Sequence, residues 1–346
     1  MSQFKTAEKR VINPSKIKIP QINKSKARPN GLSPARIRLS KNDRVDDDKF
    51  SQRIALTRFT GPKGSRLTKA FLRDKEGRID KISSPNFAEG KAETIFLPDL
   101  KEIEPVVDGL HSNECLAMGI FDEPKCEIVT KSQFSQDDRN RPVRTRSKEH
   151  MHQPECGLAL LDYDPDKYLP EALRCNSPDE LMAKLAQAVP ELEGIGYSAV
   201  GSSSNGIFDE KTNEPYEGSR GMHVYIVAHG IVLDQLQQFL KVRLWNAGFG
   251  YISFASNGAM LDRTIIDLAV LSSERLIYEA KPLLGPGLSR RDREWQHRDG
   301  TPLSGDLSLT TDEVAHYEQL VANAKADPEN RAKAEALAER YHEALS

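Results

Sequence analysis

Cysteine is scarce in this 346-residue chain, and the four present, Cys115, Cys126, Cys156 and Cys175, include no Cys-x-x-Cys pair. That excludes the usual redox motif and argues for free thiols in a reducing compartment. His150, His152, Cys156 and Cys175 lie near one another along the chain, but their spacing fits no common zinc site. No apolar run approaches the roughly 20 residues of a membrane span, and the N-terminus has no apolar signal core. A cytoplasmic protein without a membrane partner is expected. A Gly-x-x-x-x-Gly-Lys-Ser/Thr loop is also missing, so the chain carries no P-loop ATPase engine. There is no internal repeat and no heptad run long enough for a coiled coil.

What is present is polar: 38% hydrophobic and 29% charged residues, with a net charge of −2. The charge is unevenly spread. Residues 1–45 hold twelve Lys/Arg against Glu8 and Asp43, a local +10, so the remainder sums to −12. Residues 1–50 lack sustained periodicity and are expected to be a disordered basic tail, either an electrostatic tether to nucleic acid or a solubilising arm. Residues 51–310 are expected to form the main ordered domain and 311–346 a helical C-terminal segment.

Strands are expected at Ile54–Phe59, Leu67–Leu72, Ala92–Phe96 and Cys115–Ile120, and a helix strained by Pro105 over Asp99–Leu110. Arg139–Lys148 reads as a basic loop, suited to gripping phosphates or simply solvated. Ser177-Pro178-Asp179-Glu180 opens a helix that runs to Pro190. Tyr197–Val200 reads as a strand leading to a small polar loop, and Phe208–Glu217 as a longer polar turn. A helix is expected over Asp234–Ala247, and two more over residues 311–324 and 328–345, the first opened by the capping box Thr310/Glu313.

The most informative run is Gly157-Leu-Ala-Leu-Leu-Asp-Tyr-Asp164. It reads as a short buried strand ending in two acids. Alternation puts Asp162 and Asp164 on one side and Tyr163 on the other. Adjacent carboxylates repel, and a hard divalent cation such as Mg²⁺ or Mn²⁺ would neutralise them. The alternative is a turn cap before Pro165. Gly218-Ser-Arg-Gly-Met-His223 is a small, basic turn entering the apolar strand Val224–Val227. Thr264–Val270 reads as another apolar strand, with Asp267 at its middle and Arg263 four residues before it. An acid there is costly unless paired or bound to metal. Asp262 is the rival third acid, suited to a turn or a pair with Arg263. Trp245 sits on an amphipathic helix and reads as core. Trp295, among Arg290, Arg291, Arg293 and Arg298, reads as a candidate for base stacking. Such a set, with metals held by acids and a triphosphate held by a basic turn, suits nucleotidyl transfer.

Taken together, Leu160-Leu-Asp-Tyr-Asp-Pro165, Gly218-Ser-Arg-Gly-Met-His-Val224 and Ile265-Ile-Asp267 resemble the three signature motifs of the archaeo-eukaryotic primase superfamily. The second is close in form to that of the bacterial ligase D polymerase domain. Ser273-Glu-Arg-Leu-Ile-Tyr-Glu279 and Ala280-Lys-Pro282 look more like primase-like proteins of plasmids, phages and integrated elements. The resemblance covers residues 53–310. It implies an α+β catalytic core, an RRM-like antiparallel or mixed sheet joined to a second α/β unit, followed by C-terminal helices. It implies a two-metal site of Mg²⁺ or Mn²⁺ on Asp162, Asp164 and Asp267. Ser219, Arg220, His223 and Arg263 would contact the NTP or dNTP. The implied activity is a DNA primase-polymerase on a single-stranded DNA template, serving a mobile element. The template would lie on the Arg139–Lys148 loop, the Arg290–Arg298 cluster and the tail. The alternatives are an end-joining repair polymerase and a catalytically silent nucleic-acid-binding module for replication initiation. The C-terminal helices are left open as a surface for a replicative helicase, for the template or for the core itself.

Overall fold

The computed structural model describes residues 53–83, 86–135, 137–216 and 220–345. The basic tail expected at 1–50 lies outside the described residues, as does Ser219. In chain order the strands are β1 (Ile54–Thr60), β2 (Ala70–Arg73), β3 (Ile79–Ile82), β4 (Gly90–Leu97), β5 (Glu114–Ala117), β6 (Lys125–Ile128), β7 (Val143–Arg144) and β8 (Cys156–Tyr163). They continue with β9 (Tyr197–Gly201), β10 (Ile207–Asp209), β11 (Met222–His229), β12 (Gly250–Phe254), β13 (Met260–Thr264), β14 (Leu283–Leu284), β15 (Leu288–Arg290) and β16 (Gln296–Arg298). The helices are α1 (Ile103–Asp108), α2 (Pro178–Ala188), α3 (Leu233–Asn246), α4 (Thr311–Ala326) and α5 (Pro328–Glu343).

The architecture is mixed α/β around one nine-stranded mixed sheet. Its order is β16-β9-β11-β8-β1-β4-β6-β7, with β5 also pairing β1. β8 is central and seven of its eight residues are buried, which is why its sequence is nearly continuous in apolar residues rather than alternating. It runs parallel to β1, meeting it at Ala55↔Gly157, and antiparallel to β11 over its full length. β9 pairs β11 antiparallel. The C-terminal ends of β8 and β9 and the start of β11 therefore lie at one end of the sheet.

Helix α2 starts where Ser177 accepts a hydrogen bond from the Glu180 amide at 3.2 Å, with Pro178 in the first turn. Leu181, Met182 and Leu185 of α2 and Leu236, Phe239 and Leu240 of α3 join Leu158–Leu161 of β8 and Val224–Ile226 of β11 in the main core. A separate cluster seats Trp245 of α3 and Ile252 and Phe254 of β12 against Tyr317, Leu320 and Val321 of α4 and Ala334 of α5. The C-terminal helices thus pack on the body of the protein. α4 is opened by the capping box of Thr310 and Glu313.

Several expected elements move. The Asp99–Leu110 helix is a 3₁₀ turn, Leu100–Glu102, followed by the short α1, with Pro105 inside its first turn where a missing N–H costs least. The Leu67–Leu72 strand shifts to β2. β3, β10 and the β12–β13 hairpin had no expected counterpart. The largest correction is Thr264–Val270. The strand stops at Thr264; Ile265 and Ile266 are buried without a ladder, and Leu268–Val270 is a 3₁₀ turn. A buried apolar run has the same sequence signature whether or not its backbone is paired.

Candidate functional site

Asp162 and Asp164 leave the end of β8 on the same side of the sheet, two residues apart. His223 is the β11 residue directly opposite Asp162, and its Nε2 lies 3.4 Å from Asp162 Oδ1. Asp267 reaches the same place by a different route. Its amide donates to the Asp162 carbonyl at 2.7 Å, an isolated bridge between the two backbones. The Asp267 carboxylate caps the 3₁₀ turn, accepting from the Ala269 amide at 3.0 Å, and Arg263 lies 3.3 Å from the same oxygen. All three acids and His223 line one cleft of about 350 Å³.

The opposite charge comes from residues the motifs do not include. Lys69, Lys81, Arg146 and Arg275 also line the cleft. Arg146 is tethered through a 2.9 Å bond to the Glu274 carbonyl, while its buried Nε has no hydrogen-bond partner among the described residues. Asp164 is exposed, and no described residue hydrogen-bonds its carboxylate. The next acid along, Asp166, is spent on structure. It accepts from the Tyr168 and Leu169 amides and from the Ser253 hydroxyl at 2.7 Å.

Electrostatics follow from this placement. Burial pushes the Asp162 carboxyl up to about 6; His223 works against that shift, while Asp164 and Asp267 add to it. Burial and the nearby Lys81 pull Lys69 down, against the attraction of Asp164, Glu279 and Asp162. For His223, burial pulls the ring down, but Glu279 and Asp162 outweigh it and the net shift is upward.

Behind the cleft is a charge network that sequence reading missed. Glu279 is fully buried. Its Oε1 accepts short hydrogen bonds from His223 Nδ1 and the Tyr225 hydroxyl, and its Oε2 takes Arg293 Nη1 at 2.8 Å. Burial alone would raise Glu279, yet His223, Arg293 and Tyr225 hold it well below the usual carboxylate range. The signal was available: an acid closing the apolar run Leu276-Ile277-Tyr278 is the same anomaly that marked Asp267.

Other expected residues separate. Arg220 is exposed on the turn before β11 and is not part of the cleft lining. Arg263 reaches the site only through Asp267, and its own side chain is half-exposed. Asp262 lies on β13 and pairs with Lys241 and with Tyr317 at 2.9 Å, not with Arg263. Several charges of the two basic stretches are paired within the chain. Arg144 pairs with Glu123, Arg141 with Asp138 and Lys148 with Asp234. Arg293 is buried on Glu279, and Arg298 pairs with Asp179. Trp295 is half-buried, with its ring 6.0 Å from that of His297 and 6.3 Å from that of Tyr225. Trp245 is core, as its helix position implies.

Carboxylate oxygens are hard donors suited to Mg²⁺ or Mn²⁺. Mutual repulsion at a partly buried Asp162 and an exposed Asp164 matches what a cation would relieve. Among the described residues no three His, Cys, Asp or Glu side chains are assembled as a finished metal cage. No described helix is long and apolar enough to cross a membrane. No family model, curated protein or solved structure matches the chain.

Proposed function

We propose that the chain is a nucleotidyltransferase of the archaeo-eukaryotic primase type, a DNA primase-polymerase that adds NTPs or dNTPs on a single-stranded DNA template. The observation that carries this reading is the convergence of Asp162, Asp164 and Asp267, from two segments about a hundred residues apart, in one cleft with His223 and four cations. A cleft lined by both acids and basic side chains suits a metal-bound triphosphate. Either charge alone would suit a simpler ligand.

In this reading Asp162 and Asp164, with Asp267, hold Mg²⁺ or Mn²⁺. The cation supplies activation of the 3′-hydroxyl and neutralises charge on the leaving pyrophosphate. The residues of the chain do the rest. Lys69, Lys81, Arg146 and Arg275 draw in and orient the phosphates. His223 presents Nε2 from the cleft wall. Arg220 and Arg263, expected at the triphosphate, take a secondary place or none.

Incubating the protein with single-stranded DNA, labelled nucleotides and Mn²⁺, with and without an annealed primer, tests the proposal. Template-dependent incorporation is expected. The double substitution Asp162→Ala, Asp164→Ala should abolish it while the circular dichroism spectrum stays native. Undiminished synthesis by that variant would remove the assignment. The unassembled cage and the engagement of Asp267 with Arg263 favour one second reading, a silent nucleic-acid-binding module. Calorimetric titration separates the two, because the polymerase reading requires Mn²⁺ binding that the double substitution removes.

A further inference from the structure

The network behind His223 is too costly to be simple filler. The Glu279 side chain is 0% exposed, that of Arg293 4% and that of His223 8%. Removing such charges from water is costly, and well-packed apolar residues often serve stability as well or better. The segment that carries Glu279 is itself firmly placed. Ile277 and Leu116 exchange backbone hydrogen bonds at 2.8 and 3.1 Å, and the Thr68 hydroxyl donates to the Ala280 carbonyl at 2.7 Å.

From that fixed point three donors converge on one carboxylate. Arg293 anchors Oε2, and it also donates to the Gly201 carbonyl at 3.3 Å, which ties it to the end of β9. Tyr225 and His223 share Oε1. The imidazole is therefore held at Nδ1, and Nε2 is the nitrogen left to face the acids of the cleft. A ligand histidine is commonly oriented in this way by a carboxylate on its second nitrogen.

We propose that Glu279 is a positioning residue: it fixes the His223 ring so that Nε2 meets a phosphate oxygen of a nucleotide in the cleft, and Arg293 holds the carboxylate in place. The proposal rests on reading the cleft as a nucleoside-triphosphate site. It predicts that the main effect of Glu279 on nucleotide binding runs through His223.

The test uses the full chain and steady-state incorporation with Mn²⁺, comparing Glu279→Gln, His223→Ala and the two combined. Glu279→Gln is expected to raise the KM for nucleotide about 10–100-fold, in the range for groups that orient a ligating histidine, with kcat changed by less than about threefold. In the His223→Ala background the same change should add no more than about a twofold effect, because the ring it positions is gone. An unchanged KM in Glu279→Gln, or effects that multiply in the combined variant, overturns the proposal. If Glu279→Gln does not fold, Glu279→Asp keeps the charge beside Arg293 and withdraws it from the ring by one methylene. The same rise in KM supports the proposal and a wild-type KM overturns it. A wild-type protein that neither binds nor incorporates nucleotide overturns the proposed function and this role together. Normal wild-type incorporation with unaffected Glu279 variants overturns this role alone.

Discussion

At the scale of single residues, Asp162 is held in an unfavourable state. Its carboxyl titrates at about 6 because burial and its neighbours Asp164 and Asp267 oppose ionisation more than His223 favours it. An unfolded aspartate titrates near ~3.9. Between these values the folded chain binds more protons than the unfolded one, so stability falls as pH rises through the window. Above about pH 6 the penalty is fully present, and below about pH 4 it is absent. Asp162→Asn is therefore expected to stabilise the protein by roughly 1–3 kcal/mol at pH 7.5. Urea denaturation followed across pH should show the gain shrink to zero near pH 4. A loss of stability at pH 7.5 would mean that the His223 contact outweighs the repulsion. Activity should be lost in the same variant, the usual conflict between stability and a charged site.

At the scale of elements, the C-terminal helices buttress the route to Asp267. α4 touches the β12–β13 hairpin through Tyr317, which bonds Asp262, and touches α3 through the Glu313 carbonyl, which accepts from Asn246 at 3.0 Å. At the hairpin turn Gly258 has φ +82°, and a Cβ there would lie 2.4 Å from the Ala334 carbonyl of α5. Only glycine lets that turn sit so close to the helix. β13 then leads through Ile265 and Ile266 into Asp267. Removing residues 311–346 would uncover Trp245, Ile252 and Phe254. At about 1.5–3 kcal/mol for each large apolar side chain exposed, the truncated protein should melt several degrees lower and bind a hydrophobic dye. Unchanged melting would show that the helices add little to the core. Priming should weaken with the loosened hairpin.

At the scale of the whole molecule, charge is the dominant asymmetry. Residues 1–45 carry +10 and the rest −12, and several arginines of the body's basic loops are held in ion pairs. Outside the cleft, the tail is the largest reserve of positive charge for a polyanion. Deleting residues 1–50 is expected to weaken single-stranded DNA binding at low salt. It should also flatten the plot of log affinity against log salt by about 0.7 for each phosphate the tail had neutralised, with the nucleotide KM unchanged. Fluorescence anisotropy over a salt series measures this. An unchanged slope would assign DNA binding to the folded body.

The sequence by itself determined the acidic end of β8, the place of His223 at the start of β11, the caps of α2 and α4, and the buried place of Trp245. Each of these depends on neighbours a few residues away, through strand alternation, turn chemistry and capping. Only the tertiary structure decided which distant charges meet. Lys69 and Arg146 join the cleft, Glu279 takes hold of His223, and Arg293, attractive as a surface residue in the sequence, turns inward. Ile265–Asp267 looked like strand and is a buried connection bridged to Asp162. Apolar periodicity reports burial over a short window, whereas a charge pairs with whatever the fold brings within a few ångströms, and that information is not local to any stretch of chain.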